Sequence, residues 1–171
     1  MEYTHYYGSP LGKILLASDG HALTGLWFEG QKYFAAKLDQ DHAEKNLPVF
    51  ARTAEWLALY FDGKNPAFMP PLSLKGTPFQ KEVWEAMLAI PFGQTTTYAK
   101  IAAQIAKNRG IASMSAQAVG SAVAHNPISL IIPCHRVVGS DGSLTGYAGG
   151  IEKKEWLLAM ERQAEGIVVY Y

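Results

Sequence analysis

The chain has 171 residues, 49% of them hydrophobic and 18% charged, and its formal net charge is zero. This composition is typical of a globular protein of one domain or two small ones, long enough to bury a core. The single cysteine excludes an internal disulfide and a zinc site built from several cysteines. No apolar run approaches the ~20 residues that span a bilayer, and the N-terminus has no basic and apolar regions of the signal-peptide kind. We therefore expect a cytoplasmic location and no membrane partner.

The first half of the chain predicts a small sheet with helices. Short aromatic and aliphatic segments separated by turn signals predict an antiparallel meander with strands at about 3–7, 13–18 and 22–28. Helices are predicted at about 31–39 and, with a clearer apolar face, at 51–61. Three prolines and a glycine then interrupt regular structure between 61 and 73. We place a domain boundary after this segment, which divides the chain into 1–74 and 75–171.

The second half predicts mostly helix. Thr77-Pro78-Phe79-Gln80 combines a capping residue, a proline at the first helical position and a glutamine at the third, and starts a helix that runs to about Ala89. Further helices are predicted at 98–106, 115–126 and 151–163. The first two of these, joined by a short turn at 107–110, resemble a helix-turn-helix. That pattern alone is weak, because many helical hairpins bind nothing.

Two features of this half permit contact with nucleic acid without requiring it. Between 86 and 140 there is no Asp or Glu, which favours phosphate contact or is an accident of composition. The helix at 115–126 carries almost no side-chain bulk, which suits close packing on a neighbouring helix or close approach to a DNA backbone. Its small residues are Ser115, Ala116, Ala118, Gly120, Ser121, Ala122 and Ala124.

The single cysteine, Cys134, lies in the segment IIPCHRVVG. A buried cysteine can be a small hydrophobe, whereas a thiol beside a base or a cation can be a nucleophile. On a regular strand His135 would point to the opposite face, but Pro133 favours a turn that brings the imidazole within reach. Asn126 and Glu161 are candidate supporting groups. From the residues alone, Glu161 is interpreted as a solvated carboxylate, since a buried one would need a partner such as an imidazole.

These segments together resemble the O6-alkylguanine-DNA alkyltransferase family. The resemblance is carried by PCHRV, by the preceding NP at 126–127, by GYAGG and KEWLL after the cysteine, and by GTPFQKEVW, IPFGQTTTYAKIA and AVGSA before it. It covers the second half of the chain, and the first half matches in outline. It implies an α+β fold, with a small ribonuclease-H-like sheet-and-helix domain followed by a mostly helical, winged-helix-like domain that contains the helix-turn-helix.

The resemblance also implies roles at the cysteine. Cys134 would accept the alkyl group from the O6 of a damaged guanine, in an irreversible reaction with one turnover per molecule. His135 would deprotonate it through water, and Glu161 would hold and polarise His135. Asn126 would support the turn between the recognition helix and the active-site segment. Arg136 would tie the active-site loop together, and we also group it with the DNA-binding residues.

Further roles concern the DNA. The partner would be double-stranded DNA, bound through its minor groove by a monomer that flips the damaged nucleotide out of the stack. Tyr98 would press on the phosphate backbone, Tyr147 would donate a hydrogen bond to the flipped base, and Ala148 would contact it through the backbone. Gln117 stands where most of the family has an arginine that enters the base stack. The remaining predicted DNA contacts are Ser115, Ala116, Ala118 and Gly120. No cofactor and no metal are expected, and O4-alkylthymine is a possible second substrate.

Two other functions remain in view. A relative that binds alkylated bases without repairing them has tryptophan at the cysteine position, so Cys134 argues against it. A cysteine hydrolase could use Cys134, His135 and Asn126, but catalytic cysteine and histidine are rarely neighbours in sequence in such enzymes.

Overall fold

A computed structural model describes residues 1–144 and 146–164, together with the backbone of 168–169. The fold is α+β, with a sheet and one helix in the first half and mostly helices in the second, which confirms the predicted class. The elements are β1 (Glu2–Ser9), β2 (Gly12–Ser18), β3 (Leu23–Phe28), β4 (His42–Glu44), α1 (Pro48–Phe61), β5 (Asn65–Pro66), α2 (Pro78–Leu88), β6 (Thr96–Thr97), α3 (Tyr98–Arg109), α4 (Ala116–Ala124), a single 3-10 turn (Cys134–Arg136), β7 (Val137–Val138), α5 (Ile151–Gln163) and β8 (Val168–Val169).

The predicted meander forms the first three strands of a four-stranded sheet. Its order is β3-β2-β1-β4, with antiparallel pairs between the first three strands and β4 parallel to β1. The alternating burial along β1 marks a strand with one face on the core, whereas β3 is buried throughout. β3 is therefore the strand on which other parts of the chain can pack.

The helix predicted at 31–39 is wrong. This segment forms a series of turns, in which Tyr33 and Ala35 take positive φ angles of 58° and 52° that no α-helix accommodates. Its apolar residues instead pack on Trp27 and Leu15, on the face of the sheet away from the main core. The apolar spacing in this segment thus serves a small second hydrophobic cluster and does not indicate a helix.

Two predicted helices form with their expected starts. α1 begins at Pro48, slightly before the predicted 51, and buries one face that includes Trp56 and Tyr60. α2 has the predicted capping box, in which the Thr77 hydroxyl accepts from the Gln80 backbone N–H at 3.1 Å and the Gln80 side chain accepts from the Thr77 N–H at 3.0 Å. The indole of buried Trp84 donates to the carbonyl of Ala122 at 2.8 Å, which ties α2 to α4.

α3 and α4 form the predicted helical pair, with corrected ends. α3 continues to Arg109, through residues predicted as a turn, and stops at Gly110, whose φ of 69° is the left-handed conformation that glycine adopts without strain. α4 is shorter than predicted, and the Ser115 hydroxyl caps it by accepting from the Ala118 N–H at 3.1 Å.

The segment before the cysteine joins the two halves. The backbone N–H of Leu26 in β3 donates to Pro127 at 2.8 Å, and the Ser129 N–H donates back to Leu26 at 3.0 Å. Beyond the cysteine, β7 pairs in parallel with β6, at the start of α3. The segment 126–138, which contains Cys134, therefore lies between the sheet and the helical pair. Among the described residues, no helix combines the length and the apolar character that crossing a membrane requires.

Candidate active site

Cys134 lies in a tight turn that Asn126 holds closed. The Asn126 amide donates to the carbonyl of Ile132 at 2.8 Å, and its side-chain oxygen accepts from the Ile128 N–H at 3.0 Å. Leu130, between them, takes a φ of 72°, a strained conformation for this residue that the surrounding bonds impose. The sequence-based expectation of a turn after Pro133 is met by the single 3-10 turn that begins at Cys134.

The thiol is buried and favours its protonated form. Burial raises the pKa of Cys134, and a hydrogen bond with Asn126, the charge of Lys154 and a hydrogen bond with Ser129 oppose this rise without cancelling it. The resting site therefore holds a thiol, and a thiolate must be generated by transfer of its proton to a base.

His135 is fully buried and is held by Glu161. Its Nε2 lies 2.6 Å from Oε2 of Glu161, and within the described part of the chain its Nδ1 has no hydrogen-bond partner. Burial lowers the pKa of His135, and this outweighs the opposite pull of the carboxylate. The ring is therefore neutral, with its proton on Nε2 and a lone pair on Nδ1, which is the tautomer that can accept a proton.

Glu161 is a buried carboxylate on which several donors converge. Oε1 accepts from Arg136 Nε at 2.9 Å and from the Gly93 N–H at 3.0 Å, and Oε2 accepts from His135 and, at 2.5 Å, from the Tyr60 hydroxyl. Burial would raise its pKa, but the hydrogen bond from His135 and the hydrogen bonds and charge of Arg136 prevail and lower it to about 2. The interpretation of Glu161 as a solvated carboxylate is therefore wrong, because α5 turns this residue into the core.

Arg136 faces the interior. Its guanidinium bonds both carboxylate oxygens of Glu161, the second through Nη2 at 3.2 Å, and donates to the carbonyl of Ile90 at 2.8 Å. Its side chain is one-tenth exposed. Grouping Arg136 with the DNA-binding residues is therefore a misplacement, since the guanidinium is occupied by buried acceptors. The position agrees with its other predicted role, in the active-site loop.

An open cleft of about 440 Å³ lies on the outer side of α4. Gln117 and Ala116 on α4, Tyr98 at the start of α3, and Gly146 line it together with Gly120. Ser115, Ala116 and Gln117 are exposed and Ala118 and Gly120 are half-buried. Of these predicted DNA contacts, Ala116, Gln117 and Gly120 line the cleft. The small residues of α4 also serve packing, because Ala122 is buried.

Tyr147 and Ala148 lie on the loop before α5. The Tyr147 ring is buried, with its centroid 6.5 Å from that of His135, and its hydroxyl has no hydrogen-bond partner among the described residues. Burial raises the pKa of this hydroxyl well above 10, so it remains a donor. Ala148 is half-buried, and its carbonyl accepts from the Lys32 N–H at 3.1 Å.

Two residues of the site were missed by sequence reasoning. Lys154 is fully buried, donates to the carbonyl of Val137 at 2.6 Å and has a pKa lowered by burial to about 8. Its spacing from Leu157, Leu158 and Glu161 on one helix face was a usable signal. Tyr60, on α1, gave no such signal, because an aromatic residue on an apolar helix face is typical of any core.

Within 1–144 and 146–164, no group of His, Cys, Asp and Glu side chains could hold a metal ion. The site thus consists of a buried thiol, a neutral imidazole held by a buried carboxylate, and a phenol hydroxyl that no described residue pairs with. The lone pair on His135 Nδ1 is the base in this set that can take up the proton of a thiol and leave a thiolate.

Comparison with known proteins gives the same family over both halves. Residues 2–74 match the family model described as 6-O-methylguanine DNA methyltransferase, ribonuclease-like domain, and residues 78–163 match the model for the DNA-binding domain. A methylated-DNA–protein-cysteine methyltransferase of Haemophilus influenzae is 40% identical over 161 residues, covering 94% of this chain and 86% of the relative. One of Methanosarcina barkeri is 47% identical over 154 residues, covering 90% and 92%. The crystal structure of Mycobacterium tuberculosis OGT in complex with DNA superimposes with a TM-score of 0.81 at 39% identity, covering 94% of this chain and 92% of that chain.

Proposed function

The chain belongs to the 6-O-methylguanine DNA methyltransferase family of DNA repair proteins, and from this premise we propose that it transfers the alkyl group of O6-alkylguanine to its own Cys134. The observation that carries the proposal is the buried thiol of Cys134 followed, at the next residue of the chain, by a neutral imidazole that Glu161 holds at 2.6 Å. The curated relatives are named for transfer to a protein cysteine, and Cys134 is the only cysteine in this chain.

The reaction is a displacement at carbon. His135 Nδ1 takes the proton of the Cys134 thiol, through a water molecule, while Glu161 stabilises the imidazolium that forms. The thiolate attacks the alkyl carbon, the S–C bond forms and the C–O6 bond breaks, and the bonding electron pair stays on the guanine. The Tyr147 hydroxyl stabilises this charge by hydrogen bonding to a ring nitrogen, and the proton first held by His135 neutralises the base. The thioether product is stable, so each molecule reacts once.

The target base must leave the duplex to meet a buried thiol. We propose that α4 lies in the minor groove and that the flipped nucleotide enters beside Tyr98, because the small side chains of α4 allow close approach and the cleft of about 440 Å³ is lined by both elements. Ser115, Ala116, Ala118 and Gly120 would contact the backbone, and Gln117 would face the vacated position in the stack. Ala148 would contact the base through its backbone N–H.

Several finer points remain proposals of the same kind. We propose that the protein acts as a monomer, that O4-alkylthymine is also repaired, since its alkylated oxygen presents the same electrophilic carbon, and that the chain works in the cytoplasm, where thiols stay reduced. The division into domains 1–74 and 75–171 and the absence of a cofactor also remain predictions.

The test is the mass of the intact protein after reaction with a duplex that contains O6-methylguanine. We expect a gain of one CH2 unit, which is lost in Cys134→Ala. An unmodified mass with retained binding of the alkylated duplex would replace the proposal with a binding-only function.

A further inference from the structure

A tyrosine from the first half of the chain reaches the buried network of the second half. Tyr60 lies on α1, 75 residues before His135 and 101 residues before Glu161. Its hydroxyl donates to Oε2 of Glu161 at 2.5 Å and lies 3.1 Å from Nε2 of His135. The hydroxyl thus meets the same carboxylate oxygen that holds the imidazole.

Packing fixes the Tyr60 ring in this position. The ring is fully buried and stacks on Trp56, with centroids 5.2 Å apart and planes 16° apart. Edge contacts with Phe61 at 5.5 Å and with Phe92 at 6.0 Å close its other sides. Because Phe92 belongs to the second half of the chain, the ring is clamped between the halves and its hydroxyl has little freedom to leave Glu161.

The hydroxyl acts as a donor across the whole working range of pH. Burial, followed by the negative charge of Glu161, raises the pKa of Tyr60 well above 10. The phenol therefore keeps its proton and shares Oε2 with the Nε2–H of His135 and with Nη2 of Arg136, while Nε of Arg136 and the Gly93 N–H occupy Oε1. A carboxylate held by donors on both oxygens has one orientation, and it presents that orientation to the imidazole.

We propose that Tyr60 is a positioning residue, which fixes the Glu161 carboxylate and thereby sets the tautomer and proton affinity of His135. The inference rests on the proposed function, in which His135 accepts the proton of Cys134. It makes the sheet-and-helix half of the chain a contributor to the chemistry as well as a support for it.

The direction of the effect follows from the two distances. The 2.5 Å contact of the hydroxyl with the carboxylate is shorter than its 3.1 Å contact with Nε2, so the loss of the donor to Glu161 dominates when the hydroxyl is removed. The carboxylate then attracts the Nε2 proton more strongly, and the pKa of His135 rises. The other charged or titratable groups around the imidazole remain the same, namely Cys134, Arg136, Tyr147 and Lys154.

The experiment compares Tyr60→Phe with the full-length wild type by two readouts. The imidazole of His135 is titrated by nitrogen NMR, which also reports the tautomer, and the rate of methyl transfer from an O6-methylguanine duplex is measured in a single turnover. We expect the pKa of His135 to rise by about half a unit to one unit, the usual scale for one hydrogen bond to a charged group. The transfer rate should nevertheless fall about tenfold, because the loss of the fixed carboxylate orientation that positions the imidazole outweighs the gain in its basicity. Tyr7→Phe is the matched control, since it removes a half-buried hydroxyl from β1 of the same half and should change neither.

Two further variants separate positioning from packing. In a Glu161→Gln background, Tyr60→Phe should change the transfer rate and the pKa of His135 very little further, because the carboxylate through which Tyr60 acts is already gone. If Tyr60→Phe does not fold, 3-fluorotyrosine at position 60 replaces it. This analogue keeps the hydroxyl as a stronger donor and should lower the pKa of His135.

An unchanged His135 titration and tautomer in a folded Tyr60→Phe protein would overturn the proposal, even if the transfer rate fell, because the hydroxyl would then act through packing alone. If Tyr60→Phe lowered the transfer rate by the same factor in the wild type and in Glu161→Gln, this would also overturn the proposal. A wild type that transfers no methyl group would refute the proposed function, and the titration of His135 would still decide the role of Tyr60.

Discussion

Nε2 of His135 and Oε2 of Glu161 lie 2.6 Å apart, although 26 residues separate them in the chain and both side chains are inaccessible to solvent. The pair exists because α5 packs on the 3-10 turn that carries His135. Arg136 neutralises the carboxylate from the other side, so the imidazole can remain neutral beside it. A neutral histidine is the form that can accept a proton from the thiol.

Removing the Glu161 charge should make the free energy of unfolding less dependent on pH in the acidic range. The pKa of this carboxyl falls from 4.5 to about 2 on folding, so below about pH 4.5 the unfolded chain binds the proton first and stability is lost as the pH falls towards 2. The contribution is on the order of 3 kcal/mol. Glu161→Gln should be less stable than wild type near pH 6, and this difference should shrink between pH 4.5 and 2.

The measurement for Glu161 is urea unfolding at several pH values. Glu155→Gln, which removes an exposed carboxylate from the same helix, should keep the wild-type dependence on pH. A difference between wild type and Glu161→Gln that is constant with pH would contradict the lowered pKa.

Lys154 should assist the thiolate. Below about pH 8, where the buried amine of Lys154 still carries its charge, it offsets part of the rise in the Cys134 pKa. Lys154→Met should therefore slow the reaction of Cys134 with iodoacetamide in this range, which shifts the pH profile of the reaction upward. Since burial lowers the pKa of Lys154 from 10.5 to about 8, the unfolded chain binds the extra proton between these values. The wild type should therefore gain stability relative to the variant as the pH rises through this window.

Lys153→Met is the control for Lys154. Lys153 is the neighbouring lysine, half-buried with its ammonium 5.7 Å from the Phe28 ring centroid. Its loss should leave the thiol titration where it is. A similar shift in both variants would mean that net charge alone controls the thiol.

Tyr147→Phe should make the protein more stable and less active. A buried hydroxyl without a partner among the described residues costs free energy, so Tyr147→Phe should raise the free energy of unfolding by about 1 kcal/mol. The same change should slow methyl transfer, because the hydroxyl is proposed to stabilise the departing guanine. Thermal unfolding and single-turnover kinetics check the two effects, and a variant that is both less stable and fully active would refute this role.

Gln117→Arg should strengthen binding to duplex DNA. The residue is exposed on α4 beside the cleft, and an arginine there adds a charge that phosphates attract, so affinity should rise and fall more steeply with salt. Gln163→Arg adds the same charge at the exposed end of α5. The effect should be smaller there, and equal or weaker binding by the Gln117 variant would argue against α4 as the DNA-facing helix.

The sequence predicted the elements that local chemistry determines. The capping box at Thr77, the turn signals of the meander and the apolar faces of α1 and α5 each placed an element close to its observed position. The helix prediction for 31–39 was wrong because this segment forms turns whose apolar residues pack on Trp27. The periodicity of apolar residues alone cannot distinguish such turns from a helix.

The site residues could likewise be predicted where they are close in sequence, and were missed where distant parts of the chain bring them together. Cys134, His135 and Asn126 are close in sequence and could be grouped from it, whereas the burial of Glu161 and the approach of Tyr60 depend on contacts over more than 25 residues. The residues alone made a solvated Glu161 the better interpretation, because an amphipathic helix exposes most of its carboxylates. The ion pair with Arg136 compensates for the burial.

The most direct test of the central claim is the stoichiometry of transfer. The protein is incubated with an excess of duplex that carries an isotopically labelled O6-methyl group, and the label on the protein is counted and mapped by peptide mass spectrometry. The account predicts a plateau at one methyl group per chain, all of it on the peptide that contains Cys134. Continued turnover beyond one equivalent, or label that persists in Cys134→Ser, would contradict it.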